Sequence, residues 1–155
     1  MLYRLYTAQD FASLYAIEEV CFHVPFRFSR RYMRLLVSRS NVATWIAEED
    51  GRMEGFAIVE WARESGGVIG YIQTIEVAPD RRNQGVGGEL LRRIEDSVRA
   101  VGAQAIWLHV DAENARAIRL YELQGYRCEG REEDYYAPAH AALIYGKPLE
   151  SEPAS

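Results

Sequence analysis

Three glycines, Gly85, Gly87 and Gly88, stand just after two arginines, Arg81 and Arg82. They belong to the run Ile75-Glu76-Val77-Ala78-Pro79-Asp80-Arg81-Arg82-Asn83-Gln84-Gly85-Val86-Gly87-Gly88-Glu89-Leu90-Leu91. A β-branched stretch ends, Pro79 breaks it, and the glycines open an apolar-periodic segment. Glycine lets backbone N–H groups approach an anion with no Cβ in the way, and a helix N-terminus adds partial positive charge. The expected ligand is a phosphate or pyrophosphate; the plainer alternative is a tight turn that only starts a helix. A P-loop would need Gly-Lys-[Ser/Thr] where Gly87-Gly88-Glu89 stands, and the dinucleotide fingerprint would need a glycine at Leu90, so neither nucleotide loop fits.

Other residues could move protons. His109 lies in Ile106-Trp107-Leu108-His109-Val110. An ordinary imidazole titrates close to neutrality and suits proton relay, but the alternation also fits a histidine on the polar face of a strand. Tyr121 shares a helical segment with Ala117 and Leu120 and reads equally as a core aromatic. Asp111 and Glu113 read as solvated loop acids. The two cysteines, Cys21 and Cys128, and the three histidines, His23, His109 and His140, have neither disulfide-framework nor metal-ligand spacing.

The elements that must hold these residues follow from periodicity. Leu2 to Tyr6 reads as a short strand, and Thr7 with Asp10 as a box-like helix start. Phe11, Leu14, Ile17 and Cys21 recur at helical spacing. Ser29 caps a second helix carrying Met33, Leu36 and Val37, whose Arg30, Arg31, Arg34 and Arg39 form a solvated face. Val42–Glu48 and Met53–Trp61, joined at Asp50-Gly51, read as a hairpin. Val68–Val77 is a strand, Gln84–Val101 a helix closed by Gly102, Ala105–Val110 a strand, and Asn114–Leu123 a helix stopped by Gly125. Tyr126 to about Asp134 and Ala141–Pro148 are the last strands. The fold class is α/β with a mixed (α+β) sheet, about seven strands and four helices, around one right-handed parallel βαβ unit.

The chain has 155 residues, 48% of them apolar and 26% charged, with a net charge of −5. These values suit one globular domain with a real core. No basic footprint points to nucleic acid. No apolar run approaches the ~18 residues of a membrane span, and the N-terminus has no signal pattern. The expectation is a single domain over 1–149 with a frayed tail over 150–155, in the cytoplasm, without a metal.

The loop Arg82-x-x-Gly85-x-Gly87 resembles the R/Q-x-x-G-x-G/A loop of the GCN5-related N-acetyltransferases. A second stretch, Asn114-Ala115-Arg116-Ala117-Ile118-Arg119-Leu120-Tyr121-Glu122-Leu123-Gln124-Gly125-Tyr126, is similar to that family's N-x-x-A-x-x-L-Y-x-x-x-G-F segment, with Tyr126 in place of the phenylalanine. The resemblance covers about residues 2–148. It implies the acyl-CoA N-acyltransferase fold and acetyl-CoA as co-substrate. Arg82, Asn83, Gln84, Gly85, Val86, Gly87 and Gly88 would then hold the pyrophosphate, and Ile75, Glu76 and Val77 the pantetheine arm, with Asn114 and Tyr121 alongside.

Acetyl transfer to an amine needs a deprotonated amine, stabilisation of the carbonyl oxygen and protonation of the leaving thiolate. An α-amine with a pKa of ~8 is roughly a tenth neutral at pH 7, whereas lysine at ~10.4 is almost wholly charged. By the resemblance, Tyr121 is the acid beside the sulfur. Ribosomal-protein-alanine acetyltransferases carry a glutamate in an L-E-V-R strand, but here Leu108-His109-Val110-Asp111 stands there. The E-type eukaryotic N-terminal acetyltransferase subunits instead carry L-H-V paired with a Y-I-x-T-L strand, and this sequence has Tyr71-Ile72-Gln73-Thr74-Ile75. The paired match implies that Tyr71 and His109 hold a water that relays the amine proton. The acceptor slot would lie between the 22–28 loop, with Val24, Pro25 and Phe26, and the last hairpin, where Asp134-Tyr135-Tyr136 nearly matches an N-Y-Y motif; Gln73 is a further candidate contact.

The resemblance implies an acetyl-CoA-dependent N-acetyltransferase acting by direct attack in a ternary complex, with the N-terminal α-amine of a protein or peptide as acceptor. The alternatives are a small-molecule amine acetyltransferase of the same fold and a non-catalytic CoA-binding regulatory module. No nucleic-acid or membrane partner is expected, and the oligomeric state is left open.

Overall fold

The computed structural model describes residues 1–150. The expected tail falls almost wholly on 151–155, outside the described residues. Seven strands form one sheet: β1 (Leu2–Leu5), β2 (Val42–Glu49), β3 (Arg52–Glu64), β4 (Gly67–Val77), β5 (Ala103–Asp111), β6 (Arg127–Ala137) and β7 (His140–Pro148). Their order is β1-β2-β3-β4-β5-β7-β6. Only β4 and β5 run parallel; every other pairing is antiparallel. Four α-helices accompany the sheet: α1 (Phe11–Cys21), α2 (Arg30–Ser38), α3 (Val86–Ala100) and α4 (Ala115–Leu123). This is the expected element order and sheet class.

Each face of the sheet is covered by a different helix set. Leu90, Leu91, Ile94 and Val98 of α3, spaced three and four residues apart, bury against Ala57, Val59, Ile72, Ile106 and Leu108. On the other face, Leu14 and Ile17 of α1 and Met33 and Leu36 of α2 pack on Ile46, Phe56 and Ile58. Alternation along β3 divides its residues between these two cores, as a strand buried on both faces requires. Burying a single aliphatic side chain in such a layer contributes about 1.5–3 kcal/mol.

Local starts and stops follow the sequence with small shifts. Asp10 accepts from the Thr7 N–H at 2.8 Å, but one 3₁₀ turn (Ala8–Asp10) precedes α1. Ser29 caps α2 by accepting from Tyr32 N–H. The third helix begins at Val86 rather than Gln84, because Gly85 is left-handed at φ +83° and cannot continue a helical turn. The last hairpin is longer than its pattern suggests: β6 runs to Ala137, with its pairing to β7 interrupted between Glu132 and Ala137 and Asp134 at φ +54°. That irregularity hid the strand's end in the sequence. The α2 arginines are exposed, as expected, yet Arg34 lies 3.9 Å above the Phe11 ring, and Arg30 also stacks over it.

Two features of β4 prepare the site. The β4–β5 ladder ends at Ile72 opposite Leu108, although β4 continues to Val77 and β5 to Asp111. The strands therefore fork, and the edge of β4 beyond Ile72 has no strand beside it. In addition, Ile58 pairs with Thr74 and Val59 with Ile72, so Gln73 is an extra residue, a β-bulge. The bulge changes the phase of the strand at the fork.

Candidate active site

A cleft of about 490 Å³ opens at the fork. Its walls are the β4 edge (Ile75, Glu76, Val77), the loop and first turn of α3 (Arg82, Asn83, Gly85 to Gly88) and α4 from Asn114 to Leu123. Two left-handed residues, Asn83 at φ +63° and Gly85 at φ +83°, curve the loop. Such alternation turns successive N–H groups to one side and makes an anion-binding concavity. At Gly87 a Cβ would stand 3.3 Å from Leu120 Cδ2, so a larger residue would crowd the Leu120 side chain at the cleft wall. Arg82 Nε donates to the Val77 carbonyl at 3.2 Å and ties the loop to the strand end. Asn114 caps α4 by accepting from Ala117 N–H.

These features fit acetyl-CoA. A diphosphate needs converging N–H groups and cations, and the cleft supplies the curved loop with Arg82, Arg116 and Arg119. An amide-bearing arm needs an unpartnered strand edge, which the fork leaves on β4. Gln84 is not brought to the cleft; its side chain donates to the Asp80 carbonyl at 3.2 Å on the surface. Glu76 borders the cleft but its carboxylate accepts from Thr74 Oγ1 at 2.8 Å inside the fold. Burial, then the neighbouring Glu18, push the Glu76 carboxyl well above its ordinary range. The side chain is thereby committed to the α1–β4 junction, and only its backbone is left for a cofactor. Among the described residues no group of three or more His, Cys, Asp or Glu is placed to hold a metal ion. No helix among them is long and apolar enough to cross a membrane.

Tyr121 lines this cleft at 5% exposure. Burial, then Tyr136, push its hydroxyl above the ordinary tyrosine range, so it holds its proton at neutral pH. Cys21, which the sequence does not single out, also lines the cleft; its thiol donates to the Val77 carbonyl at 3.7 Å. Burial raises the thiol pKa, more than Arg82 lowers it, so the sulfur is a protonated, poor nucleophile.

Across the fork, on the face shared with α1 and α2, stands a second group. Tyr71 Oη and His109 Nδ1 are 2.8 Å apart, and His109 Nε2 is 3.1 Å from Glu132 Oε1. Burial pushes the Tyr71 hydroxyl above its ordinary range. Tyr135 stacks on the His109 ring at 4.2 Å with 9° between planes. Tyr71 packs edge-on against Trp107 at 4.7 Å and Tyr135 edge-on against Tyr136 at 4.9 Å, while Tyr136 meets Phe26 at a tilt at 5.0 Å. His140 closes the row against Phe26 at 5.4 Å. An aromatic wall therefore runs from β4 to the 22–28 loop.

The structure brings Tyr71, His109, Tyr135, Tyr136 and Phe26 together but leaves Val24 out at 85% exposure. Pro25 is half-buried beside it. Gln73 Nε2 donates to Glu60 at 3.3 Å, and Glu60 in turn accepts from Arg39, the residue after α2. Sequence reasoning missed Trp107, Glu132 and His140. Trp107 carried a usable signal, since it sits two residues before His109 on the same strand face. Glu132 carried none, because the irregular β6 pairing decides where it lies.

With this geometry in view, the comparisons with known proteins are specific. The sequence model described as "Acetyltransferase (GNAT) family" matches residues 11–126. Streptothricin acetyltransferase of Streptomyces lavendulae is 37% identical over 87 residues, 56% of this chain and 45% of that protein. This chain thus spans less than half of that relative's length. The [ribosomal protein bS18]-alanine N-acetyltransferase of Escherichia coli (strain K12) is 34% identical over 104 residues, 65% of this chain and 68% of that one. A crystal structure of the ribosomal-protein-S18-alanine N-acetyltransferase from Escherichia coli superimposes with a TM-score of 0.82 at 25% identity, covering 99% of this chain and 98% of that chain.

Proposed function

The chain belongs to the acetyltransferase (GNAT) family and is an acetyl-CoA-dependent N-acetyltransferase, and from that premise we propose that its acceptor is the N-terminal α-amine of a protein or peptide. The observation that carries this reading is the Tyr71–His109 hydrogen bond of 2.8 Å beside an aromatic wall that ends on the 22–28 loop. Such a wall suits an extended peptide, whose first side chain packs on Phe26 and whose backbone meets the tyrosine hydroxyls. An α-amine with a pKa of ~8 needs far less help to deprotonate than a lysine at ~10.4. The similarity to bS18-alanine acetyltransferases supports the same acceptor class.

Acetyl-CoA, when bound, supplies the thioester. The loop from Arg82 to Gly88 and the β4 edge hold and orient it. Tyr71 and His109 take up the amine proton through a water, leaving the lone pair free to attack. A backbone N–H on the β4 edge stabilises the carbonyl oxygen. Tyr121 holds a proton for the departing thiolate. The protonated, half-buried Cys21 agrees with direct attack and no acetyl-enzyme. We propose with it a cytoplasmic enzyme whose described residues form one catalytic domain.

A peptide array with free and blocked N-termini, read by mass spectrometry, tests the acceptor. Acetylation at free α-amines is expected; modification of lysines alone rejects the proposal. The similarity to streptothricin acetyltransferase supports a second reading, a small-molecule amine acceptor. Turnover of small amines together with inert peptides would select it.

A further inference from the structure

His109 is held on all sides, and the partners on its two nitrogens are not equivalent. Its side chain is 9% exposed, whereas that of Glu132 is 48% exposed. Tyr135 covers one ring face in parallel stacking, and Trp107 packs against the ring at 5.1 Å. Rotation of the imidazole is thereby blocked. A carboxylate only accepts hydrogen bonds, so the 3.1 Å contact to Glu132 requires the proton on Nε2. A neutral imidazole protonated on Nε2 has its lone pair on Nδ1. The 2.8 Å contact is then Tyr71 O–H donating to His109, and the Tyr71 oxygen keeps its capacity to accept.

We propose that Glu132 is a positioning residue of the proton relay: it fixes the His109 tautomer so that Nδ1 stays open to the Tyr71 proton. The inference rests on the amine-acetyltransferase reading above. The relay balances in one concerted shift. An ammonium N–H bond breaks, its electron pair stays on nitrogen as the attacking lone pair, and the proton passes through the water to Tyr71 Oη. The original Tyr71 proton passes to His109 Nδ1. The positive charge moves from ammonium to imidazolium, where the Glu132 carboxylate lies 3.1 Å away. Tyr71 is never left as a phenolate, which its burial would oppose. When products leave, the imidazolium returns its extra proton to solvent. The device has the same logic as a carboxylate orienting a catalytic histidine elsewhere, here with a tyrosine in the hydroxyl position.

Two substitutions at this exposed position separate orientation from packing. Glu132→Gln keeps an acceptor facing Nε2, so the tautomer is retained and kcat falls less than about tenfold. Glu132→Lys offers only donors, forces the proton onto Nδ1 and removes the acceptor for Tyr71. Its kcat falls about a hundredfold or more, with the acetyl-CoA KM unchanged. Long-range ¹H–¹⁵N correlation spectra of the full chain, with His109→Ala assigning the signal, should show Nε2–H in the native protein and in Glu132→Gln, and Nδ1–H in Glu132→Lys. If Glu132→Lys keeps native turnover or the native tautomer while His109→Ala loses activity, the role of Glu132 is overturned and the relay stands. If His109→Ala also leaves turnover unchanged, the relay reading itself fails.

Discussion

Between Val77 and Gly88 the loop proposed to hold the diphosphate is one continuous run of chain, and the groups it would offer are backbone N–H groups. Across the fork, Tyr71 comes from β4, His109 from β5, and Glu132 and Tyr135 from β6, and the proposed relay is made of side chains. The two regions share one sheet but not one mode of construction. The proposed cofactor side depends on the left-handed turn at Gly85 and on the fork more than on particular side chains. The acceptor side depends on distances set by three strands and on an irregular hairpin, so small changes far away in sequence can retune it. A family that keeps one co-substrate while varying its acceptor is well served by this division.

The sharpest way to break the comparison is Gly85→Glu. A side chain at φ +83° is strained by ~1–2 kcal/mol, and a carboxylate at the loop repels phosphate. Acetyl-CoA affinity should fall by more than about a hundredfold by calorimetry, with the fold retained by circular dichroism. Native affinity would remove the diphosphate from this loop.

His109→Ala addresses the other region alone. We expect kcat to fall about 10²- to 10⁴-fold while acetyl-CoA affinity stays within about threefold of native. A matching loss of cofactor binding would show that the regions are not separable. Tyr121→Phe stands at their junction, since Tyr121 lines the cofactor cleft and senses Tyr136 of the acceptor wall. It keeps the ring volume and removes only the hydroxyl, so kcat should drop about 10- to 100-fold with stability nearly unchanged. Native turnover would release Tyr121 from its role as acid.

The smallest effect belongs to neither region and serves as the control. Asp10 accepts from both terminal nitrogens of Arg4 at 2.8 Å, and this guanidinium holds its carboxyl down to about 2. A depressed folded-state pKa stabilises above the unfolded value of ~3.9 and is lost as pH falls through the folded value. Asp10→Asn should cost about 1–2 kcal/mol at pH 7 without altering either site. Thermal melts should show the gap to native narrowing below pH ~4 and closing towards pH ~2. A constant gap across that range would contradict the ion-pair assignment.

The sequence by itself determined what short-range forces decide. Helical spacing located the apolar faces of α1, α2 and α3, Ser29 announced the cap of α2, and the order of strands and helices followed from periodicity. The glycine loop reads as an anion site because the chemistry proposed for it is local to consecutive residues. Tertiary structure alone decided where β4 and β5 part, that Gln73 is a bulge, that Gln84 turns to Asp80, and that Val24 faces solvent while Phe26 joins the wall. It also set Glu132 against His109, twenty-three residues apart in the chain. Such a contact depends on the register and irregular pairing of β6 with β7. That pairing is settled by packing across the whole sheet, and no local pattern in the chain encodes it.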